Sequence, residues 1–172
     1  MIDLHCHTTI SDGSYSVEEV INRAKKLGVS HLAITDHDTT DGLWQAIEVG
    51  ARIGVEIIPG IEVSAYDFTR HRKAHILGYY IDPDDKGIQQ LCQPFRERRQ
   101  QASFTMVKKI RDYGLKVDWE DVLRYADGGT GVYKQHIMHA LLDKGYTDQI
   151  YGELYQQLFF ERPAPGTRLH TT

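Results

Sequence analysis

The sequence predicts an α/β fold in which parallel strands and helices come first and a group of helices follows. Short apolar segments alternate with helical segments of about 10–13 residues up to residue 63, and this alternation is typical of parallel strands joined by right-handed crossovers. From residue 86 to residue 159 the apolar spacing is mostly helical. Together the two patterns favour a βα layer with a helical appendage.

The elements of the βα layer have recognisable starts and stops. Ser16 and Glu19 have the spacing of a capping box, which predicts a helix that ends at Gly28. A second predicted helix covers residues 41–53 and ends at Gly54. The predicted strands are residues 1–4, 29–35, 55–63 (interrupted at Pro59-Gly60) and 74–80.

The last two of these strands are predicted to form an antiparallel hairpin. Only residues 64–73 separate them, which is short for a helical crossover. In an antiparallel pair the start of the later strand lies beside the end of the earlier one. We therefore expect Glu62 and His75 to meet at the sheet edge that also receives His5, His7 and His37.

The predicted helices after residue 85 suggest a domain boundary near residue 83. They cover residues 86–93, 95–113, 119–126, 133–144 and 149–159, with Asp118 as the N-cap of one of them. The loop Gly128–Gly131 lacks the spacing and the preceding strand of a nucleotide-binding motif. The predicted division is residues 1–83, a helical domain over 84–162, and a tail over 163–172.

Composition and charge exclude several functional classes. A formal net charge of −4 gives no general signature of nucleic-acid binding, so we expect no extended duplex as a partner. The two cysteines are too few for a disulfide framework and favour a reducing compartment. No apolar run reaches the ~18 residues of a membrane span, and no signal sequence is recognisable. We expect a cytoplasmic protein without membrane association.

Residue types that bind metals recur at the ends of the predicted strands. His5 and His7 are two apart, so in an extended chain both imidazoles point to one side. The carboxyl ends of parallel strands meet at one edge, where function usually lies in barrels and open α/β sheets. The sequence therefore predicts a site for divalent transition metals. Its candidate ligands are His5, His7, Asp12, His37, Glu62 and His75, with His136 as a further candidate.

Five motifs in order resemble those of the PHP family, named for polymerase and histidinol phosphatase. They are His5-Cys-His7, Asp12-Gly13, Thr35-Asp-His-Asp38, Pro59-Gly-Ile-Glu-Val-Ser64 and His75-Ile-Leu-Gly78. The sequence is most similar to the stand-alone members that hydrolyse phosphate from nucleotides and short RNA. The resemblance implies a partial seven-stranded, TIM-like βα barrel over residues 1–83, with the helices of 84–162 as an insertion. It also implies a trinuclear centre of Mn, Zn or Fe.

The resemblance also implies roles for the individual residues. His5 and His7 would bind the first metal, Glu62 would bridge the first and second, and Asp12 with His37 would bind the third. His75 would complete the second site together with His136, because Gln135-His-Ile-Met-His-Ala-Leu141 resembles the helix-borne motif of the family. Glu62, His7 and His37 are the residues that we expect to be catalytic.

One motif of the family, a late Asp-x-His, has no counterpart in this sequence. Its nearest match, Arg168-Leu-His170, has Arg where Asp is needed, and the last barrel strands are also absent. The chain therefore resembles a family member without its C-terminal part. We expect it to hold one or two metals rather than three and to be far less active than a full-length relative. An unsealed sheet would also favour self-association or marginal stability.

The leading functional prediction is a metal-dependent phosphoesterase that acts on a phosphorylated small molecule, a nucleotide, or short RNA. A phosphate monoester is dianionic, so clustered cations that neutralise it and activate a water for in-line attack meet the needs of the reaction. Three alternatives stay open at this point. They are a non-catalytic metal-binding or partner-binding module, an activity like histidinol phosphatase, and an amidohydrolase-like C–N hydrolase.

Several other residues have both a functional and a purely structural interpretation. Arg98 and Arg99 lie in a basic stretch and are candidates for binding substrate phosphate, with a solvated helix face as the alternative. Asp36 or Asp38 could orient an imidazole or hold a turn. Cys6, between two candidate ligands, is expected to face the core.

Overall fold

The structure, a computed structural model, describes residues 1–160. The predicted tail, residues 163–172, lies outside the described residues. The chain divides into two compact units, of which the first is Met1–Arg98 with Gly128–Thr130 and the second is Arg99–Asp127 with the chain from Gly131 onward. This division falls inside a helix, later than the predicted boundary at residue 83.

The first unit contains a four-stranded sheet in the order β1-β2-β3-β4. The strands are β1 (Ile2–Cys6), β2 (His31–Ile34), β3 (Glu56–Asp67) and β4 (Arg72–Tyr79). β1 pairs parallel with β2, and β2 pairs parallel with β3. β3 and β4 form the predicted antiparallel hairpin. β3 is longer than predicted and runs through Pro59 and Gly60 without interruption, because Pro59 opposes Ile34 at the end of β2.

Two helices cover this sheet. α1 (Val17–Lys26) begins at the predicted capping box, in which the Ser16 side chain accepts from the Glu19 backbone N–H and the Glu19 carboxylate accepts from the Ser16 backbone N–H. α2 (Leu43–Ile53) begins two residues later than predicted, because Gly42 adopts a left-handed conformation at the N-cap. Gly54 ends α2 in the same conformation, as predicted.

The core of the first unit lies between these helices and the sheet. Its buried members come from both helices, from β2, and from the residues before β2 and β3, and they are Val17, Val20, Ile21, Ala24, Val29, Leu32, Ile34, Leu43, Ala46, Val49 and Val55. This apolar layer fixes the strands against the helices. The carboxyl ends of β1 and β2 are left to carry polar side chains.

Four helices follow the sheet in sequence: α3 (Lys86–Asp112), α4 (Trp119–Leu123), α5 (Lys134–Asp143) and α6 (Glu153–Phe159). The prediction of two helices around Pro94 was wrong, because α3 is continuous and Pro94 lies inside it. A proline removes the hydrogen bond of its own nitrogen and crowds one carbonyl, so a long helix can continue through it at a local cost.

Two other helix boundaries differ from the prediction by three residues or more. α4 ends three residues early, and α6 starts at Glu153 instead of residue 149. The Thr147 hydroxyl accepts a hydrogen bond from the Gln149 backbone N–H, and this local turn keeps Gln149 out of α6. The second unit has an apolar core of its own, built around Val107, Ile110, Ile137, Met138 and Leu141.

Asp121 joins α4 to the end of α5 and gives the second unit a pH-dependent contact. Its carboxylate accepts from the Asp118 backbone N–H at 3.1 Å and pairs with Lys144 Nζ at 2.6 Å and with Arg124 Nη2 at 2.6 Å. Burial acts to raise the pKa of Asp121, but the hydrogen bonds from Lys144 and from the Asp118 backbone outweigh it and lower the pKa.

Asp121→Asn is expected to reduce the free energy of unfolding by about 1–2 kcal/mol at neutral pH. A lowered pKa in the folded state means that the carboxylate stabilises the fold above its unfolded-state pKa, and that this stability is lost as pH falls through the lowered folded-state pKa. Urea unfolding from pH 7 to pH 3 should therefore show the two proteins converging at the acidic end. Glu120→Gln, an exposed change in the same helix, is the control, and a difference that does not vary with pH would contradict the prediction.

Candidate metal centre

β1 delivers two imidazoles to one carboxylate. His5 lies in β1 and His7 directly follows its last residue, Cys6. His5 Nε2 lies 2.7 Å and His7 Nε2 lies 2.9 Å from the same oxygen, Glu62 Oε2. The two imidazole nitrogens are 3.0 Å apart. The i, i+2 spacing thus places both rings on one side, at the carboxyl end of β1.

The segment after β2 brings a third imidazole beside Glu62. His37 forms an isolated parallel bridge with Glu62, supported by hydrogen bonds from Glu62 N to Asp36 O and from Asp38 N to Glu62 O. This backbone pairing continues the β2–β3 register beyond the end of β2. It puts His37 Nε2 3.9 Å from Glu62 Oε2.

The hairpin supplies a fourth imidazole. In the antiparallel register Glu62 opposes Leu77 and Ser64 opposes His75, so Glu62 and His75 are diagonal neighbours on one face. His75 Nδ1 contacts Glu62 Oε1, the carboxylate oxygen that faces away from His5 and His7. Glu62 therefore has imidazoles on both of its oxygens.

Asp12 lies on a loop that folds back toward His7. The Gly13 backbone N–H donates to Thr8 O at 2.9 Å, and a Cβ at Gly13 would lie 2.5 Å from His7 O, so only glycine fits this close approach. Asp12 Oδ1 lies 3.5 Å from His7 Nδ1, and its Oδ2 lies 3.8 Å from His37 Nε2. The loop thus adds a second carboxylate to the cluster.

Asp36 holds this loop in place. It is 1% exposed, and its carboxylate accepts from the Thr8 backbone N–H at 2.8 Å, from Thr8 Oγ1 at 2.7 Å and from Ser11 Oγ at 2.6 Å. Of the two interpretations of Asp36, the loop-holding one agrees with these bonds. Thr8 and Ser11 were not among the predicted site residues, and their only signal in the sequence was their polarity between His7 and Asp12.

Asp36→Asn is expected to reduce the free energy of unfolding by about 2–3 kcal/mol, because an amide has one acceptor oxygen where three donors converge on a buried carboxylate. Urea unfolding measures the change. Asp41→Asn, at an exposed position of the β2–α2 connection, is the matched control. Equal stability of Asp36→Asn and the wild-type chain would show that the three hydrogen bonds contribute little.

The electrostatic state of Glu62 suits an anionic metal ligand. Burial acts to raise its pKa, but the hydrogen bond from His5, the charges of His37 and His7 and the hydrogen bond from His75 outweigh burial and lower the pKa. Glu62 is thus ionised at neutral pH. A buried anion with several imidazole nitrogens is the donor chemistry that Mn, Fe and Zn accept.

Three groups of donors in the first unit have the spacing of metal sites. They are His5–His7–Glu62, His7–Asp12–His37 and His37–Glu62–His75, and within each group the ligand atoms lie within 4.8 Å of one another. Catalytic metals commonly take three protein ligands. The three groups together contain six side chains, and the Glu62 carboxylate can bridge two ions. Six side chains therefore suffice for about two ions.

The remaining predicted site residues are in α3 and α5. His136 is in α5 of the second unit, where it is buried and receives a hydrogen bond from the Tyr133 backbone N–H at 3.2 Å. Arg99 of the same unit lies over the Tyr133 ring at 4.6 Å. Arg98, in the first unit, lies over the Phe95 ring at 5.0 Å. The metal role of His136 and the phosphate role of both arginines stay predictions.

A neighbouring arginine has a contact that the sequence analysis did not single out. Arg96 Nη1 donates to Asp38 O at 2.8 Å, directly beside His37. Nothing in the sequence distinguishes Arg96 from Arg98 and Arg99 in the same basic stretch. Arg96 therefore supports the loop after β2, whereas the two predicted arginines contact aromatic rings.

Cys6 faces the apolar core, as predicted from its position between His5 and His7. Its side chain packs against the core cluster of the first unit. Burial, followed by the negative charges of Asp3 and Asp36, raises the pKa of Cys6 to about 11. The group is a protonated thiol at neutral pH, which is a poor metal ligand.

Comparison with solved structures confirms the fold class. A metal-dependent phosphoesterase from Bifidobacterium adolescentis is 29% identical and superposes with a TM-score of 0.85 over 93% of this chain and 56% of its own. The α/β class with part of a PHP-type barrel is thus correct. Within residues 1–160, moreover, the helices are too short or too polar to cross a membrane.

Curated relatives give the same family. The chain is 45% identical over 157 residues to the phosphoribosyl 1,2-cyclic phosphate 1,2-diphosphodiesterase of Eggerthella lenta, covering 91% of this chain and 60% of the relative. It is 35% identical over 145 residues to the 5'-3' exoribonuclease Rnm of Salmonella typhimurium, covering 83% of this chain and 48% of the relative. The chain thus spans about half to three fifths of these relatives. A family model of the PHP domain matches residues 3–159, and the chain belongs to the PHP domain family.

Proposed function

We propose that this chain is a metal-dependent phosphoesterase that hydrolyses a phosphate ester of a nucleotide or a short oligoribonucleotide. The observation that carries the proposal is the buried Glu62 carboxylate, which has imidazoles of four histidines within 3.9 Å or in direct contact. The activities of the two curated relatives support phosphoester chemistry on ribose-containing substrates.

The proposed ligands divide into three sets that share residues. His5, His7 and Glu62 form the first set, and Glu62 and His75, with His136 as a further candidate, form the second. Asp12 and His37 form the third and weakest set. Divalent Mn, Zn or Fe at these sets would neutralise phosphoryl oxygens and lower the pKa of a water toward ~7.

The protein's own contribution is a fixed array of charges. The backbone of Glu62 is held by its hydrogen bonds to Asp36 and Asp38 and by its place opposite Leu77 of β4. Its buried carboxylate contacts His5, His7 and His75. Asp12 is held by the loop that Asp36 organises. Because these groups are positioned before substrate arrives, little reorganisation is needed during the reaction.

The broader setting of the protein is also a proposal. The substrate is a phosphorylated small molecule or a short single strand, and a content of only two cysteines, too few for a disulfide framework, favours a cytoplasmic location. Residues 84–162 would act as a helical insertion in a PHP-type barrel. Self-association is expected because the outer strands of the sheet expose apolar side chains, among them Ile2 and Leu4 on β1 and Ile76 on β4. Light scattering coupled to size exclusion tests it, and a monomer at high concentration would contradict it.

Phosphate release tests the proposed function. The metal-loaded chain is incubated with an aryl phosphate, with AMP, with a 3′,5′-nucleoside bisphosphate and with a 5′-phosphorylated trinucleotide, each with and without a chelator. The proposal predicts release from at least one nucleotide substrate, abolished by the chelator. Bound metal without release from any substrate would contradict it and favour a non-catalytic metal-binding module.

A further inference from the structure

The β3–β4 hairpin continues beyond the metal cluster and ends in two exposed aromatic residues. Tyr66 is 45% exposed and Phe68 is 80% exposed, and their rings lie 5.1 Å apart in an edge-to-face arrangement. The exposed rings leave apolar ring faces in water, and an exposed aromatic face is suited to stacking against another planar group.

The strand register places this pair on the same face as the metal ligands. Ser64 opposes His75 and Tyr66 opposes Lys73 in the antiparallel ladder, and alternate residues of a strand share a face. The contact between Glu62 and His75 shows that this is the face of the cluster. Tyr66 and Lys73 therefore follow Glu62 and His75 along one surface, and the ring contact brings Phe68 to the same side.

The distance along β3 determines how long a ligand must be to contact both the metal cluster and the aromatic pair. Glu62 and Tyr66 are four residues apart on an uninterrupted strand, which corresponds to ~13 Å. A base attached directly to a phosphate at the cluster does not reach so far. A base further along a strand of two or more nucleotides does.

Charge at the hairpin suits a phosphodiester backbone. The turn and the start of β4 carry Arg70, Arg72 and Lys73, all exposed, against the single carboxylate of Asp67, which pairs with Arg70 at 3.0 Å. This concentration of positive charge occurs in a chain whose formal net charge is −4. A local cationic strip beside aromatic rings is the combination used to bind single-stranded nucleic acids.

We infer that the Tyr66–Phe68 pair stacks against a base of a single-stranded oligoribonucleotide whose phosphate end lies at the metal cluster, with Lys73 beside the intervening phosphates. The inference rests on the proposed function, because it needs a phosphoester at the cluster. According to this inference, the hairpin makes the chain bind short RNA more tightly than a mononucleotide. Only a substrate long enough to reach the hairpin gains affinity from contacts there.

The test is fluorescence anisotropy with the metal-loaded full chain and a probe that resists hydrolysis. The probe is a hexa-adenylate with phosphorothioate groups at its 5′ end and in its linkages and with a fluorescein at its 3′ end. Tyr66→Ala/Phe68→Ala should bind it about 10-fold or more weakly than the wild-type chain, because stacking on aromatic side chains is lost. Tyr66→Phe should keep the affinity, and Tyr151→Ala, which removes an exposed tyrosine of the second unit, is the matched control.

Two comparison ligands separate stacking from charge. An abasic hexamer of the same length should bind the wild-type chain and the double variant equally, and unlabelled AMP should compete equally against both. If circular dichroism shows that the double variant does not fold, Phe68→Ala alone replaces it, because Phe68 is the more exposed of the two residues. Equal hexa-adenylate affinity of the wild-type chain and a folded variant would overturn the inference, as would a wild-type chain that does not bind the hexamer.

The outcomes also separate this inference from the proposed function. Aromatic-dependent binding of the hexamer together with no phosphate release by the metal-loaded chain would overturn the proposed function and leave the hairpin as a binding surface. Phosphate release from short RNA that does not depend on Tyr66 and Phe68, with unchanged binding, would support the proposed function and overturn the inference.

Discussion

Glu62→Gln is expected to lower the rate of phosphate release from a nucleotide substrate by on the order of 10³-fold or more. Two carboxylates occur in the three donor groups, and of these Glu62 belongs to two groups and Asp12 to one. Both oxygens of Glu62 face imidazoles. A neutral amide keeps the shape but cannot join two cations as an anion does. Phosphate release at saturating substrate, with added metal, measures the effect.

Glu56→Gln is the matched control, because Glu56 lies on the same strand and pairs with His31 at the other end of β3. It should leave the rate within about twofold of the wild-type chain, as exposed ion pairs contribute little. Circular dichroism establishes that both variants fold. A Glu62→Gln protein that retains both its metal and its activity would remove Glu62 from the proposed mechanism.

His7→Ala is expected to give the second-largest effect, measured on metal affinity. His7 belongs to two donor groups, since its Nε2 lies 2.9 Å from Glu62 and its Nδ1 lies 3.5 Å from Asp12. Loss of an outer-shell partner costs ~10–100-fold in metal affinity, and loss of a ligand should exceed that range. Competition with a chromophoric chelator measures the dissociation constant.

His31→Ala serves as the control for this measurement. His31 is the first residue of β2, at the end of the strand opposite to the cluster, and pairs with Glu56 at 3.2 Å. Its loss should leave metal affinity unchanged. Equal metal affinity of His7→Ala and His31→Ala would mean that the cluster does not bind the metal through His7.

Much of the fold followed from local patterns that depend on few residues. The capping box of Ser16 and Glu19 predicted the start of α1, and the short connection between the last two strands predicted the hairpin. The gathering of His5, His7, His37, Glu62 and His75 also followed from strand ends, because parallel strands share an edge. Local residue spacing is enough to predict these helix starts and strand ends, because they do not depend on contacts between distant residues.

The features that escaped prediction depend on contacts between distant residues. The role of Asp36 needs the loop of Thr8 and Ser11, which is 25 or more residues away in sequence. The continuity of α3 through Pro94 reflects the stability of a long helix on both sides of a local defect. The face occupied by Tyr66 and Phe68 required the register of β3 against β4, which residue spacing alone does not fix.

Elemental analysis of the gently purified chain tests the central claim, that the Glu62 cluster is a divalent metal centre. The wild-type chain is predicted to contain about one to two equivalents of Mn, Fe or Zn, since six ligand side chains at three per ion suffice for about two. Glu62→Gln should contain substantially less, and Glu56→Gln the same as the wild-type chain. A metal content that is equally low in all three proteins after exposure to each metal would contradict the claim.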